Sequence, residues 1–231
     1  MDINDKIIII TGASQGIGLA TAKHLASQGA TVVLAARSED KLKMLESEIP
    51  GSYAIVTDMR DPEAIKNLIQ KTKEKFGRID VLVNNAGQGL YSPVESINLE
   101  DYKTIMELNV YGVLLAMQAV IPVMRSQGGG MIVNISSMLS KMAIPGLAAY
   151  ASTKYALNAL SLTARAELER DRIVVCSVLP KMTATDFTEN SVGERPDFSM
   201  RGGTMPEVDP PEKVAEKVAE IIQSGTVEIL L

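Results

Sequence analysis

The stretch Lys6-Ile-Ile-Ile-Ile-Thr-Gly-Ala-Ser-Gln-Gly-Ile-Gly18 joins an apolar run to a loop that contains three glycines. The run Lys6–Ile10 is apolar on both faces, which is typical of a parallel strand covered by helices on each side. Apolar residues at helical spacing follow over Ile17–Gln28. The glycines permit a tight turn and a close approach of the helix to the strand. The stretch therefore predicts a strand, a glycine turn and a helix in direct succession.

The glycine loop also indicates a ligand. The first N–H groups of a helix have no partner within the helix, and the helix dipole is positive at that end, so such a loop suits a pyrophosphate. The spacing is G-x-x-x-G-x-G rather than the commoner G-x-G-x-x-G, but its place between a first strand and a first helix indicates a dinucleotide. The residues expected to contact the cofactor here are Gly12, Ser14, Gln15, Gly16, Ile17 and Gly18.

The end of the second predicted strand distinguishes NAD(H) from NADP(H). NAD(H) sites usually have an acidic residue here to hold the ribose 2′-hydroxyl. This chain has Ala36 followed by Arg37, and a guanidinium can bind a 2′-phosphate that a carboxylate would repel. We therefore expect NADP(H) rather than NAD(H). Ser14 is a second candidate contact for the phosphate, whereas Gln15 supplies no charge where a basic residue would help.

Short β-branched runs alternate with longer helical stretches along the whole chain. The predicted strands are Lys6–Ile10, Thr31–Ala35, Tyr53–Val56, Val81–Val83, Met131–Ile135 and Ile173–Val178, with Thr226–Leu231 as a seventh. The predicted helices are Ile17–Gln28, Lys41–Glu48, Pro62–Lys75, Leu99–Arg125, Tyr150–Arg170 and Pro211–Gln223. This order predicts an α/β fold with one doubly wound parallel sheet and helices on both faces. No linker divides the chain, so residues 1–231 are expected to form one domain.

Aspartate and proline mark the start of two of these helices. Asp61-Pro62 and Asp209-Pro-Pro211 each place a proline in the first turn behind an aspartate. We expect each aspartate carboxylate to cap its helix by accepting N–H groups of that first turn.

Composition excludes several classes of protein. The 231 residues carry a net charge of −5 and no basic run, which argues against a nucleic-acid partner. The apolar run near the amino terminus is too short for a signal peptide or a membrane span. Cys176 is the one cysteine and is expected to be a small buried residue. We expect a cytoplasmic protein with neither a membrane partner nor a metal.

The segment 181–208 interrupts the alternation. It has no sustained period and contains several glycines and prolines, and long loops of this kind are usually lids or disordered segments. A loose surface insertion is one alternative. Ligands of doubly wound sheets bind beyond the carboxyl ends of the strands, where this loop starts, so we predict a substrate lid. Its large apolar residues are Met182, Phe187, Phe198, Met200 and Met205.

Tyr150-Ala-Ser-Thr-Lys154 places a phenol and an ammonium four residues apart, on one face of a predicted helix. A nearby positive charge favours the ionised form of a phenol. Ser137 lies thirteen residues before Tyr150 and can supply a hydroxyl beside them. Such a trio can give a proton to a substrate oxygen or take one from it.

Together these motifs resemble the short-chain dehydrogenase/reductase family over essentially the full length from Lys6. The resemblance implies a seven-stranded Rossmann fold and the transfer of a hydride between a nicotinamide and a carbonyl or alcohol carbon. It also implies a homodimer or homotetramer built on the helices Leu99–Arg125 and Tyr150–Arg170. The matching segments are Thr11–Gly18, Asn84-Asn-Ala-Gly87, Leu108-Asn-Val-Tyr-Gly112, Ser137, and Tyr150 with Lys154.

The resemblance implies a role for four catalytic residues. Tyr150 resembles the general acid/base, and Lys154 resembles the lysine that lowers its pKa and holds the nicotinamide ribose. Ser137, rather than Ser136, matches the serine that hydrogen-bonds the substrate oxygen. Asn109 resembles the asparagine that supports a water-linked proton path to Lys154.

The resemblance also implies contacts with the cofactor outside the glycine loop. Asp58 resembles an aspartate that contacts the adenine, and a turn residue is the equal alternative. Lys181 stands where the family usually has glycine, which puts the local backbone in doubt. The further cofactor contacts are Met59, Asn85, Ala86, Gly87, Pro180, Thr183 and Thr185.

The expected substrate is a small, mostly apolar carbonyl compound or alcohol, because the candidate pocket residues are largely apolar and rich in adaptable methionine. A 3-oxoacyl-thioester reductase shares every motif and is one alternative. A non-catalytic NADP(H)-sensing protein is another, against which the intact set of catalytic residues argues. The candidate substrate contacts are Ser137, Met138, Tyr91, Met142, Met182 and Phe187.

Overall fold

Seven parallel strands form one sheet in the computed structural model, which describes residues 1–193 and 208–231. The strand order is β3-β2-β1-β4-β5-β6-β7, and every neighbouring pair is parallel. The strands are β1 Ile7–Thr11, β2 Thr31–Ala36, β3 Tyr53–Val56, β4 Val81–Asn84, β5 Gly130–Ile135, β6 Ile173–Leu179 and β7 Glu228–Leu230. The predicted doubly wound sheet is confirmed. Its order reverses between β1 and β4, so a crevice opens there at the carboxyl ends of the strands.

Seven α-helices cover the sheet in the described part of the chain. They are α1 Gly16–Ser27, α2 Glu39–Glu48, α3 Pro62–Phe76, α4 Leu99–Met106, α5 Gly112–Ser126, α6 Ala148–Leu168 and α7 Pro211–Ser224. Each predicted helix is present, with ends that differ by a few residues. The one difference in kind is that the predicted helix Leu99–Arg125 is divided between α4 and α5.

The apolar side chains of the strands contribute to two hydrophobic cores, one on each face of the sheet. Ile8 and Ile10 of β1 lie in the core beneath α1, α2 and α7, whereas Ile7 and Ile9 lie in the core beneath α3, α5 and α6. Successive side chains of a strand point to opposite faces, so a strand buried on both sides must be apolar throughout. Cys176 is 1% exposed within the first core, which confirms its predicted burial.

The two predicted aspartate caps differ in outcome. Asp61 accepts the Glu63 N–H at 2.9 Å and caps α3 as predicted. The prediction for Asp209 is wrong, because Pro210 occupies the N-cap position of α7. A residue that precedes proline is disfavoured in the helical region, and Pro210, which precedes Pro211, is extended. Asp209 therefore lies one residue too early, and its carboxylate binds the Lys213 ammonium at 2.7 Å.

A π-helical turn, Glu107–Tyr111, joins α4 to α5 and was not predicted. Here the helix passes close to the loop after β3, because a β-carbon added to Gly112 would lie 2.1 Å from the Met59 carbonyl oxygen. Within the described residues, Leu99–Ser126 is the one helical stretch long and apolar enough to cross a membrane. Its inner face belongs to the core beneath α3, α5 and α6, and this burial accounts for part of its apolar composition.

The predicted lid begins as a loop that folds back onto the sheet end. Isolated bridges pair Leu90 with Val192 and Thr183 with Asp209. Residues 181–193 therefore lie against the loop after β4 and against the start of α7. Phe198, Met200 and Met205 lie outside the described residues.

Candidate active site

The glycine loop lies at the carboxyl end of β1, at the edge of the crevice. Gly12 and Gly16 have φ of +66° and +55°, a region that glycine adopts without strain. A β-carbon on Gly18 would lie 2.3 Å from the Gly12 carbonyl oxygen, so glycine alone permits this approach of helix and loop. The Gln15 side chain caps no N–H group of α1 in the described structure. The loop therefore leaves the positive end of α1 available to a pyrophosphate, and these residues fit a dinucleotide.

Thr11 and Asn85 fasten the glycine loop to the end of β4. The Asn85 amide nitrogen donates to the Thr11 carbonyl oxygen at 2.9 Å. The Thr11 hydroxyl accepts the N–H groups of Asn85 and Ala86 at 3.0 and 3.1 Å. The Asn85 side chain thus shapes the loop from beneath. The sequence analysis missed Thr11, although its place directly before Gly12 was a signal for such a role.

The adenosine end of the crevice combines Arg37 with an ion pair. Arg37 is exposed at the end of β2, and its positive charge contributes to a lowered pKa of Asp58. The larger cause is Arg60, whose guanidinium binds Asp58 at 2.8 Å. Both Asp58 carboxylate oxygens accept bonds from Arg60, which favours its role as a turn residue. The Met59 side chain is buried and packs in the core beneath α3 and α5.

Lys41 reaches the glycine loop from the first turn of α2. Its ammonium lies 3.3 Å from the Gln15 side-chain oxygen. Gln15 itself carries no charge, and Lys41 was not among the predicted site residues. The contact joins residues 26 positions apart, so sequence patterning carried no signal for it.

The predicted catalytic residues converge at the start of α6 and the end of β5. Tyr150, Ser137 and Lys154 are all buried. Burial raises the pKa of the Tyr150 phenol above its ordinary value, and a hydrogen bond with Ser137 partly opposes this rise. Tyr91 lies close enough that its phenol raises the pKa of Tyr150 further. The structure therefore keeps Tyr150 protonated, as a proton donor requires.

Burial dominates the pKa of Tyr150 in this arrangement, and the lowering expected from Lys154 stays a prediction. The ammonium is 5.7 Å from the Tyr150 ring centroid and donates to the Ile135 carbonyl oxygen at 2.9 Å. Burial lowers the pKa of Lys154 itself to about 8. Desolvation disfavours a charge on either group, so the effect expected of the lysine is outweighed by burial.

Asn109 occupies the π-helical turn and binds the backbone next to Gly87. Its side-chain oxygen accepts the Gln88 N–H, and its nitrogen donates to the Gln88 carbonyl oxygen, both at 2.9 Å. A β-carbon on Gly87 would lie 3.2 Å from the Asn109 side-chain oxygen and 3.7 Å from the Lys154 ammonium. Asn109 and Lys154 therefore flank the same glycine, although they are 45 positions apart in the sequence.

Two further residues hold the turn that carries Ser137. The Ser137 hydroxyl accepts the Leu139 N–H at 3.1 Å. Ser140 donates its hydroxyl to the Ser137 carbonyl oxygen at 2.6 Å and accepts from the Asn158 amide at 2.7 Å. Asn158 lies one turn beyond Lys154 on α6, and the sequence analysis missed both it and Ser140. Ser136 is buried, and its hydroxyl bonds no group within residues 1–193 and 208–231.

The first part of the lid contacts both the glycine loop and the catalytic residues. A β-carbon on Gly16 would lie 3.1 Å from the Thr185 methyl group, which places Thr185 at the glycine loop. Thr183 instead donates to the Lys181 carbonyl oxygen and pairs with Asp209. The Phe187 ring centroid is 5.4 Å from that of Tyr150. Of the two predicted threonine contacts, only Thr185 therefore reaches the loop.

The predicted substrate residues lie in three places. Tyr91 and Phe187 lie beside Tyr150, and the Met138 N–H bonds the Pro180 carbonyl oxygen at 3.0 Å, next to Ser137. Met142 lies instead in an exposed apolar cleft of about 570 Å³, to which neither Tyr150 nor Ser137 contributes. Met182 pairs its backbone with Asp209 at the start of α7. The described residues contain no group of three or more His, Cys, Asp and Glu that could hold a metal.

Comparison with known proteins identifies the family. Residues 6–196 match the family model of short chain dehydrogenases. The chain belongs to the short-chain dehydrogenase/reductase family. A relative of this short-chain dehydrogenase, a 3alpha-hydroxysteroid dehydrogenase of Mediterraneibacter gnavus, is 36% identical over 196 residues, which are 81% of this chain and 77% of that protein.

Two solved structures share the fold of this short-chain dehydrogenase. One is a 3-ketoacyl-(acyl-carrier-protein) reductase from Brucella melitensis, complexed with NADH, with a TM-score of 0.90 and 26% identity. The match covers 99% of this chain and 97% of the reductase. An alcohol dehydrogenase from Thermococcus sibiricus, complexed with 5-hydroxy-NADP, has a TM-score of 0.84 and 29% identity. The match covers 99% of this chain and 96% of the alcohol dehydrogenase. The chain is thus an oxidoreductase of CH–OH and C=O groups with a nicotinamide cofactor. The choice between the two dinucleotides rests on its own residues.

The lowered pKa of Lys154 predicts a dependence of stability on pH. Between about pH 8 and the ordinary lysine pKa, the unfolded chain holds a proton that the folded chain has lost. The free energy of unfolding therefore rises with pH in this window. The raised pKa of Tyr150 lowers the free energy of unfolding with rising pH, but only above the ordinary tyrosine pKa near 10. Urea unfolding between about pH 7.5 and 9.5 should show this rise in the wild type and a smaller one in Lys154→Met. Parallel profiles would mean that buried Lys154 keeps its charge.

The Ser140–Asn158 pair predicts a positioning effect on turnover. Asn158→Ala removes the donor that orients the Ser140 hydroxyl, so the Ser137 turn is less firmly held. We expect kcat to fall about tenfold on any carbonyl substrate that the protein reduces, with little change in the Kd of the dinucleotide. Thr163→Ala, on the exposed side of the same helix, is the control. A loss of thermal stability at unchanged kcat would show that Asn158 only supports packing.

Proposed function

We propose that the protein is an NADP(H)-dependent oxidoreductase that transfers a hydride between the nicotinamide and a carbonyl or alcohol carbon of a small, mostly apolar substrate. The observation that carries the proposal is the convergence of Ser137, Tyr150 and Lys154 beneath the lid, at the crevice where the glycine loop lies. A structural helix has no need to bury a phenol against a serine hydroxyl with a lysine one turn away.

The chain's own residues supply the proton and the orientation in this reaction. NADP(H), when bound, gives or takes the hydride at the substrate carbon. In the reductive direction the Tyr150 hydroxyl gives its proton to the carbonyl oxygen as negative charge develops there. The Ser137 hydroxyl, which lies close enough to act on the pKa of Tyr150, holds the same oxygen. A positioned proton donor typically contributes ~10²–10⁴-fold, and an aligned hydrogen bond to the developing oxyanion contributes ~10²–10³-fold.

The lining of the site supports an apolar substrate. Phe187 packs on Tyr150, and the Tyr91 phenol lies close enough to raise the pKa of Tyr150. Similarity to the Brucella melitensis reductase favours a 3-oxoacyl thioester as a second candidate, and the Mediterraneibacter gnavus relative favours a hydroxysteroid. A panel of ketones, aldehydes, hydroxysteroids and acetoacetyl thioesters, each with NADPH and NADH, distinguishes these substrates.

A self-associated, cytoplasmic form belongs to the same proposal. Tyr111, Tyr155 and Leu162 are each about half exposed, on the π-helical turn and on α6. A homodimer or homotetramer that pairs these helices would bury them.

Tyr150→Phe tests the proposed acid/base directly. The phenyl ring preserves packing against Phe187 but lacks the hydroxyl whose proton is transferred. We expect kcat to fall by ~10²–10⁴-fold, with little change in the Kd of NADPH. Tyr155→Phe, on an exposed position of the same helix, should keep full activity. Substantial turnover by Tyr150→Phe would contradict the assignment of Tyr150 as the general acid/base.

Arg37→Asp tests the choice of dinucleotide. An aspartate at this position would repel a 2′-phosphate and accept a bond from a 2′-hydroxyl. We expect the ratio of the Kd values for NADPH and NADH to shift toward NADH by at least about tenfold, or 1.4 kcal/mol. Arg170→Asp, far from the crevice on an exposed turn, controls for net charge. An unchanged ratio would contradict the assignment to NADP(H).

A further inference from the structure

We infer that Lys41 is a second cation for the 2′-phosphate of the adenosine and determines dinucleotide specificity together with Arg37. The inference rests on the proposed use of NADP(H). It assigns the charge that the glycine loop lacks at Gln15 to a lysine supplied by α2.

The fold brings Lys41 to this place through two short connections. The Ala13 N–H bonds the Ala35 carbonyl oxygen at 3.2 Å, so the glycine loop lies directly beside the end of β2. The helix α2 begins at Glu39, two residues after Arg37. Lys41 therefore lies in its first turn, and its ammonium reaches the Gln15 side-chain oxygen at 3.3 Å. Arg37 follows β2 directly and Lys41 lies in the first turn of the next helix, so both cationic residues are carried by the segment that leaves the end of β2.

The neighbouring charges leave Lys41 free to bind an anion. Glu39, in the same turn, forms an ion pair with Lys43 at 2.6 Å. Asp58 is held by Arg60, and Asp40 is the remaining carboxylate of the turn. Lys41 has no carboxylate partner within residues 1–193 and 208–231, where it bonds only a neutral amide. Arg37 and Lys41 therefore outweigh Asp40 in this segment by one positive charge.

The start of α2 adds donors to the same segment. The Ser38 side chain occupies the N-cap position but accepts no N–H group of the helix in the described structure. The first N–H groups of α2 are then available to a phosphate oxygen, as is the Ser38 hydroxyl. Because Gln15 holds the ammonium through a neutral group, a phosphate can replace that bond without breaking an ion pair.

The binding of two small nucleotides tests the inference without a substrate. The probes are 2′,5′-ADP and 5′-AMP, which differ only in the 2′-phosphate, and the measurement is isothermal titration of the full-length protein. Lys41→Ala should weaken the binding of 2′,5′-ADP by up to about fivefold, the upper end of the range for one exposed charge pair, and should leave the binding of 5′-AMP unchanged. Lys41→Arg should restore most of the affinity for 2′,5′-ADP. Lys43→Ala, two residues along the same helix and paired with Glu39, is the matched control.

Each outcome bears on the inference. An unchanged affinity of Lys41→Ala for 2′,5′-ADP would overturn it, as would an equal loss for both nucleotides or an equal loss in Lys43→Ala. A wild type that does not prefer 2′,5′-ADP to 5′-AMP would overturn both this inference and the assignment of NADP(H). If Arg37→Asp abolishes the preference and Lys41→Ala leaves it unchanged, the assignment of NADP(H) stands and the role of Lys41 alone is wrong.

Discussion

Hydrogen bonds between Thr11 and the Asn85 segment join the carboxyl ends of β1 and β4, and the rest of the site depends on this junction. It lies where the strand order reverses, and these bonds link the two strand ends across that point. On one side it holds the glycine loop and the start of α1. On the other it fixes Gly87, against which Asn109 and Lys154 pack. A shift at the junction would move the cofactor loop and the catalytic lysine apart.

Burial, rather than charge pairing, sets the protonation of the catalytic groups. Tyr150 and Lys154 are both shielded from water, and desolvation favours the neutral form of each. The chain therefore holds a proton on the phenol and releases one from the ammonium more readily than usual. A phenol kept protonated suits the reductive direction. A charge entering the crevice would alter this balance, because charge interactions are stronger among groups shielded from water.

The sequence was sufficient for what depends on short-range patterns. The apolar runs predicted the seven strands, and the spacing of Gly12, Gly16 and Gly18 predicted the close approach of α1. The sequence was insufficient where contacts between distant residues determine the position of a side chain. Lys41 meets Gln15, and Asn158 meets Ser140, only because α2 and α6 pack as they do. The π-helical turn likewise reflects the approach of Gly112 to Met59. Asp209 does not cap α7 for a local reason, because the second proline moves the start of the helix one residue further along the chain.

The first part of the lid touches the two halves of the crevice at once, through Thr185 at Gly16 and Phe187 at Tyr150. Any movement of this segment therefore uncovers the nucleotide half and the carbonyl half together. If residues 181–193 move as the predicted lid, entry and departure of the two ligands share one conformational step. The rate of that step would then set a common upper limit on the catalytic cycle, whichever carbonyl compound is reduced.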